Sequence, residues 1–236
     1  DCHLPASFNA RKPFAMNVTQ AMQERRSVRA FLPKAPSAQA VHSLIADAAQ
    51  AASGGNLQPW RVVALAGHAL HELTDAIADA QPLPEGGNNY TYPPNLWEPY
   101  RTRRFKNGED LYKTIDIPRE DKAARLEQLA KNGRFFGAPV GLLVFADERM
   151  GYAQWVDLGI YLQSLMLLAT ERGLATCAQG YWRRYGDTVE RVLKAPEPYR
   201  VAYGIALGYE DLTAPINSLR ADRAPFGDWA QMRGFD

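Results

Sequence analysis

Between Tyr152 and Arg172 the chain reads YAQWVDLGIYLQSLMLLATER, with no proline to break a helix. Trp155, Val156, Leu158, Ile160, Tyr161, Leu162, Leu165, Met166, Leu167 and Leu168 fall on nearly every side of a 3.6-residue spiral. A helix that is apolar all round must be buried all round. Its greasiest run, Leu158 to Ala169, is interrupted by Gln163 and too short to span a bilayer, so it belongs at the centre of a globular fold. A small sheet can cover only one side of it. The other side predicts a subunit interface.

The rest of the chain supplies the sheet and its covering helices. Asn17 or Thr19 caps a first helix running toward Arg25, with Val18, Ala21 and Met22 on one side. Ser37 caps a second, with Val41, Leu44, Ile45 and Ala48 at helical spacing. The breaker-rich SGGNLQPW leads into RVVALAG, a buried strand, and residues 68–80 read as helix. Residues 81–99 hold five prolines and two glycines among aromatic residues, the composition of an ordered loop that acts as a lid or binding element. Charged, peripheral helices follow over 100–131. VGLLVFAD at 140–147, LATCAQG at 174–180 and YRVAYGIALGYED at 199–211 predict three more strands, with a helix at 187–193 and an extended tail. Strands separated by helices indicate an α+β or α/β sheet covered by helices. Residues 1–15 read as an extension ahead of a natural start at Met16, and 16–236 as one domain with its lid at about 81–131.

The charge balance makes any anion site local. With 27 Lys and Arg against 26 Asp and Glu, the net charge is +1, which gives no global field to recruit nucleic acid or an anionic membrane. Two cysteines, Cys2 and Cys177, far apart, suit a reducing cytoplasmic setting and make neither a disulfide framework nor a zinc module. No phosphate loop, GxGxxG turn, HExxH, CxxC or G-x-S-x-G is present, and His68 and His71 alone are a weak basis for metal binding, so no metal site is expected. Against this background QERRSVRAF gathers three arginines around Ser27. In extended backbone Arg25, Ser27 and Arg29 point to one side, converging on an acceptor-rich object.

RRSVRAF, NLQPW, FFGAP, QWVDLG, GLATCAQG and LGYED…PINSLRADRAP, in this order, resemble the FMN-dependent nitroreductase superfamily, and within it the nitrobenzoate-reductase-like bacterial branch. The resemblance runs from about Met16 to the end. It implies a nitroreductase-like α+β fold, with a central mixed or antiparallel sheet flanked by helices, and an intertwined homodimer with an FMN in each interfacial cleft. Arg25 and Ser27 would contact the flavin phosphate, Arg26 would support that end, and Arg29 would lie near the pyrimidine edge. Ser53, Gly54, Asn56 and Gln58 would approach the partner's flavin, small residues allowing close backbone approach. The backbone N–H of Gln179 would face the ring, with Gly180 leaving room above it. Asn132 and Arg134 would touch the ribityl chain and pyrimidine edge. Arg223 matches a phosphate-binding arginine, and Arg220 stands in for a basic residue where this chain has Ala221.

The same resemblance implies ping-pong chemistry, in which NAD(P)H reduces the flavin and a nitroaromatic or quinone acceptor is then reduced by two electrons. It requires no side-chain acid or base, so no catalytic residue is named. Tyr90, Tyr92, Trp97 and Tyr100 would stack on a flat acceptor. Arg101, Arg103 and Arg104 would attract a carboxylate such as that of a nitrobenzoate. A same-fold flavoenzyme of different chemistry, such as a reductive dehalogenase or enal reductase, and a non-catalytic flavin-binding module are the alternatives.

Overall fold

The computed structural model describes residues 16–84 and 92–235. The suggested extension at 1–15 and the lid residue Tyr90 lie outside them. Helices α1 (Val18–Glu24) and α2 (Ala38–Ala48) precede strand β1 (Arg61–Ala66) and helix α3 (Gly67–Ala78). The region expected from sequence to act as a lid contains α4 (Tyr100–Lys113) and α5 (Lys122–Ala130). There follow β2 (Val140–Asp147), α6 (Tyr152–Glu171), β3 (Ala175–Gln179), α7 (Gly186–Leu193) and β4 (Tyr199–Gly208).

Local chemistry sets the boundaries. Asn17 begins α1 with a reciprocal capping box, its Oδ1 accepting the Gln20 N–H while Gln20 Oε1 accepts the Asn17 N–H, both at 2.9 Å. Ser37 Oγ accepts from the Ala40 N–H at the head of α2. Helix α6 stops at Gly173, whose φ of 69° only a residue without a Cβ adopts cheaply.

The four strands pair antiparallel in the order β1-β2-β4-β3. Strand β2 is central and buried at every position, which explains its unbroken apolar sequence. One face, through Leu142 and Val144, packs on Leu44 of α2 and on Leu158, Tyr161 and Leu165 of α6. The other, through Leu143 and Phe145, packs on Leu70, Leu73 and Ile77 of α3 and on Phe135 and Trp182. Truncating a residue such as Leu142 to alanine costs about 2–5 kcal/mol.

Helix α6 is covered on one side only. Leu158, Tyr161, Leu165 and Ala169 are buried, whereas Tyr152 is 94% exposed, Val156 63% and Ile160 38%. Val18 and Met22 of α1 are exposed too, and Gln163 Nε2 of α6 donates to Met22 Sδ, which makes the open face continuous across both helices. The apolar side expected of α1 is thus buried only at Ala21.

Candidate functional site

Residues 25–32 leave α1 as an extended segment stitched to the sheet. The Val28 N–H donates to Thr176 O of β3 at 3.0 Å, and Ser27 bridges Thr176 in parallel. Further on, Phe31 bridges Glu210 and the Leu32 N–H reaches Tyr209 O. Val28 is 2% exposed, so the alternation expected from sequence holds: Val28 turns into the core and Ser27 and Arg29 take the other side.

Two polar residues from the far end of the chain fix this segment. Asn217 Oδ1 accepts the Arg29 N–H at 2.8 Å, while its Nδ2 donates to Ala30 O and Asp211 O. Glu210 accepts through both carboxylate oxygens from the single Nη2 of Arg26, each at 2.5 Å, while the buried Arg26 Nε has no partner among the described residues. Arg26 is thus held by an anchoring ion pair. Asn217 and Glu210 were not singled out from sequence, although both lie in stretches that carry the resemblance. Their partners sit more than 180 residues away, and no local pattern signals that.

Arg25 is different. Its guanidinium is held below its ordinary range by burial first, then by the cation of Arg223, with Cys177 acting in the opposite direction. Neither Arg25 nor Arg223 has a carboxylate partner among the described residues; Arg223 donates only to the backbone oxygens of Ala221 and Asp222. A half-buried cation beside an exposed one, with no counterion among the described residues, can serve as a site for a dianion. Burial pushes the Cys177 thiol up, while Arg29, the Ser27 hydroxyl and Arg25 pull it back. Cys177 thus lies under the cluster as packing. Arg220 curls onto Asn217 O and Leu219 O, bracing the turn before Arg223.

Gln179 closes β3 beside a second knot. Its buried side chain donates from Nε2 to Asn132 O at 2.9 Å and Oδ1 at 3.1 Å, and accepts from Trp182 Nε1 at 3.2 Å. Asn132 also caps Leu129 O, so both amides are engaged within the protein. Trp182 stacks on Phe135 at 4.2 Å, and Gly204 of β4 leaves the space its indole fills. Phe135 and Phe136 have φ of 48° and 54°, a left-handed pair of bulky residues that costs about 1–3 kcal/mol each. This bend buries both rings and leaves Arg134 exposed. Gly180 opens the short turn Gly180–Tyr185.

The loop after α2 stands on α6. Asp157, only 5% exposed, accepts the Gly54 N–H through Oδ1 at 3.1 Å, and its Oδ2 has no partner among the described residues. Ser53 Oγ accepts the Gln58 N–H, and Gln58 Nε2 donates to Asn56. Gly55, Asn56 and Gln58 all have positive φ, a tight projection that presents Leu57 to solvent.

In the lid, Trp97 and Tyr100 meet edge to face at 5.7 Å, and the Arg104 guanidinium lies 4.2 Å from the Tyr92 ring centroid. Arg101 pairs with Glu98 at 2.8 Å, so it presents less charge than its sequence neighbours suggested. Arg103 pairs with Asp228 of the tail. Tail and lid meet again where Lys106 Nζ binds Asp222 at 2.6 Å, next to Arg223.

Comparison with known proteins bears on the family and the fold. The model of the nitroreductase family matches residues 22–209. A 4-nitrobenzoate reductase of Pseudomonas putida is 36% identical over 212 residues, 90% of this chain and 93% of that protein. Among solved structures, the FMN and NADPH-dependent nitroreductase NfnB from Sphigopyxis sp. strain HMH superposes with a TM-score of 0.88 at 37% identity, covering 93% of this chain and all of that one. NfnB from Mycobacterium smegmatis, in complex with NADPH, superposes with a TM-score of 0.83 at 30% identity, covering 91% of this chain and 97% of that one.

Proposed function

The chain belongs to the nitroreductase family, and from that premise we propose that it is an FMN-dependent NAD(P)H oxidoreductase that reduces nitroaromatic acceptors, nitrobenzoates among them, or quinones, as a homodimer. The observation that carries the reading is the pair Arg25 and Arg223, two neighbouring guanidiniums with no carboxylate partner among the described residues. Ser27 adds a hydroxyl on the same strand-like segment. This donor set fits the phosphate of FMN, because a phosphate monoester carries close to two charges and accepts in several directions.

When bound, FMN supplies the two-electron chemistry, taking hydride from NAD(P)H and giving electrons to the acceptor. The protein's own residues bind and orient. Arg25, Ser27 and Arg223 hold the phosphate, Arg26 and Arg220 brace the segments that carry them, and Arg29 contributes positive charge toward the ring. Gln179 and Asn132, locked together, fix the end of β3 and Gly180 after it. Arg134 stands exposed and ready to meet the ring's polar edge. Ser53, Gly54, Asn56 and Gln58 form the projection that reaches a second copy's site, held at its base by Asp157.

The open face of α1 and α6 supports the dimer. Val18, Met22, Tyr152, Val156 and Ile160 make an apolar surface of the kind that a second copy covers. Residues 16–236 then work as one domain, with 81–131 as the lid over the acceptor. There Tyr92 and Trp97 give ring contacts and Arg104, more than Arg101, attracts a carboxylate. Purified protein is expected to be yellow, to be bleached by NAD(P)H and to consume the donor steadily only when 4-nitrobenzoate is present. Protein that stays colourless after incubation with FMN overturns the reading.

A further inference from the structure

Resting on that reading, we propose that the cavity under helix α4 is where this protein recognises the 2′-phosphorylated adenosine end of NADPH, with Arg119 and Arg104 as the residues that distinguish it from NADH. The cavity has a volume of about 470 Å³ and is lined by Leu96, Arg104, Phe105, Tyr112, Arg119 and Arg125 among others. That size falls within the range of small-molecule sites.

Its charge is unbalanced. The one carboxylate in the lining, Glu109, is taken by the fork of Arg125, at 2.6 and 2.9 Å. That hydrogen bonding holds the Glu109 carboxyl below its ordinary range, with Arg119 acting on it only at longer reach. Arg119 itself forms no ion pair among the described residues; its guanidinium lies 4.9 Å from the centroid of Phe105. Arg104 likewise has no carboxylate partner among them and rests on Tyr92. Each cation sits on the face of an aromatic ring, which holds it in place and leaves its N–H groups for an anion. Aromatic faces beside them offer a purine something flat to lie against.

The cavity is also in reach of the cofactor site. Lys106, between the lining residues Phe105 and Gly108 on α4, binds Asp222 next to Arg223. The same helix thus carries both the contact to the tail beside Arg223 and lining residues of the cavity.

The test uses the FMN-loaded protein. Adenosine 2′,5′-bisphosphate and 5′-AMP are titrated calorimetrically, and steady-state kinetics are run with NADPH and NADH for wild type, Arg119→Gln and Arg119→Lys. Expected are tighter binding of the bisphosphate than of AMP, and a preference for NADPH that falls by about tenfold or more in Arg119→Gln, the scale of one charge-assisted hydrogen bond. Arg119→Lys is expected to recover part of it. Equal binding of the two nucleotides by wild type overturns the proposal, and so does an unchanged NADPH-to-NADH ratio in Arg119→Gln. A rise in KM for 4-nitrobenzoate over nitrobenzene at an unchanged donor ratio assigns the cavity to the acceptor and also overturns it. Each of these failures leaves FMN binding and NADH-driven turnover intact, whereas failure of the general reading abolishes both.

Discussion

The guanidiniums of Arg25 and Arg223 come together from distant parts of the chain, one half-buried on the exit from α1 and the other exposed on the tail, with no carboxylate partner for either among the described residues. Burial and like charge both work against Arg25 there. A protein keeps such a pair only where a bound anion compensates it.

Removing one of the two should separate binding from folding. Arg25→Gln is expected to weaken FMN binding by about 10–150-fold, the equivalent of about 1.5–3 kcal/mol for a hydrogen bond to a charged group. The apoprotein should melt no lower than wild type, because a desolvated, repelled charge has gone. Fluorescence titration of FMN and thermal denaturation of the apoprotein check the two halves. A large drop in apoprotein melting temperature with FMN affinity intact would refute this assignment.

Arg26 and Glu210 predict the reverse pattern. Both are partly buried, at 23% and 14% side-chain exposure, and the ion pair from Arg26 Nη2 ties the arginine segment to the residues just after β4. Breaking it leaves a largely buried charge unpaired, so Arg26→Met should destabilise the protein by on the order of 3 kcal/mol in urea. The double change Arg26→Met with Glu210→Leu should recover much of that loss. Single and double variants of equal stability would show the pair to be idle.

A charge on the open face of α6 should act at a distance from any flavin contact. Val156→Asp is expected to give a lone subunit by sedimentation that no longer retains FMN. Its stability should be little altered, since Val156 is mostly exposed in the single chain. A monomer that still holds FMN tightly would remove the second copy from the site.

Asp147 governs the acid side of stability. The side-chain fork of Arg149, followed by that residue's backbone N–H, holds the Asp147 carboxyl down to about 2 from 3.8. Because the folded value is depressed, this contribution is complete above 3.8 and is lost as pH falls through about 2. Wild type and Asp147→Asn should therefore converge in stability across that window and stay apart near neutrality. Parallel pH profiles would contradict it.

Much of this was legible in sequence because it is local. The Asn17 cap, the unbroken β2 run and the helix ending at Gly173 each follow from neighbouring residues and came out within a residue or two. The placing of Ser27 and Arg29 opposite Val28 followed from strand alternation alone. The one-sided exposure of α6 was legible as a problem, since its apolar surface exceeds what four strands can cover. Other features were not. Phe135 and Phe136 adopt a backbone that their own preferences oppose, and the Phe135 ring fits only because Gly141 of β2 has no Cβ in its way. Asn217 and Glu210 look like ordinary surface residues until the fold brings Arg29 and Arg26 to them. The lid cavity depends on which arginines find a carboxylate, and Glu98 and Glu109 settle that by geometry the sequence does not state.

The arginine segment is held by Glu210 and Asn217, which follow it by more than 180 residues, and the proposed grip needs Arg223 later still. A nascent chain that has not yet exposed residue 223 therefore lacks the finished grip, so the proposed phosphate site is a product of long-range folding rather than of the local arginine segment.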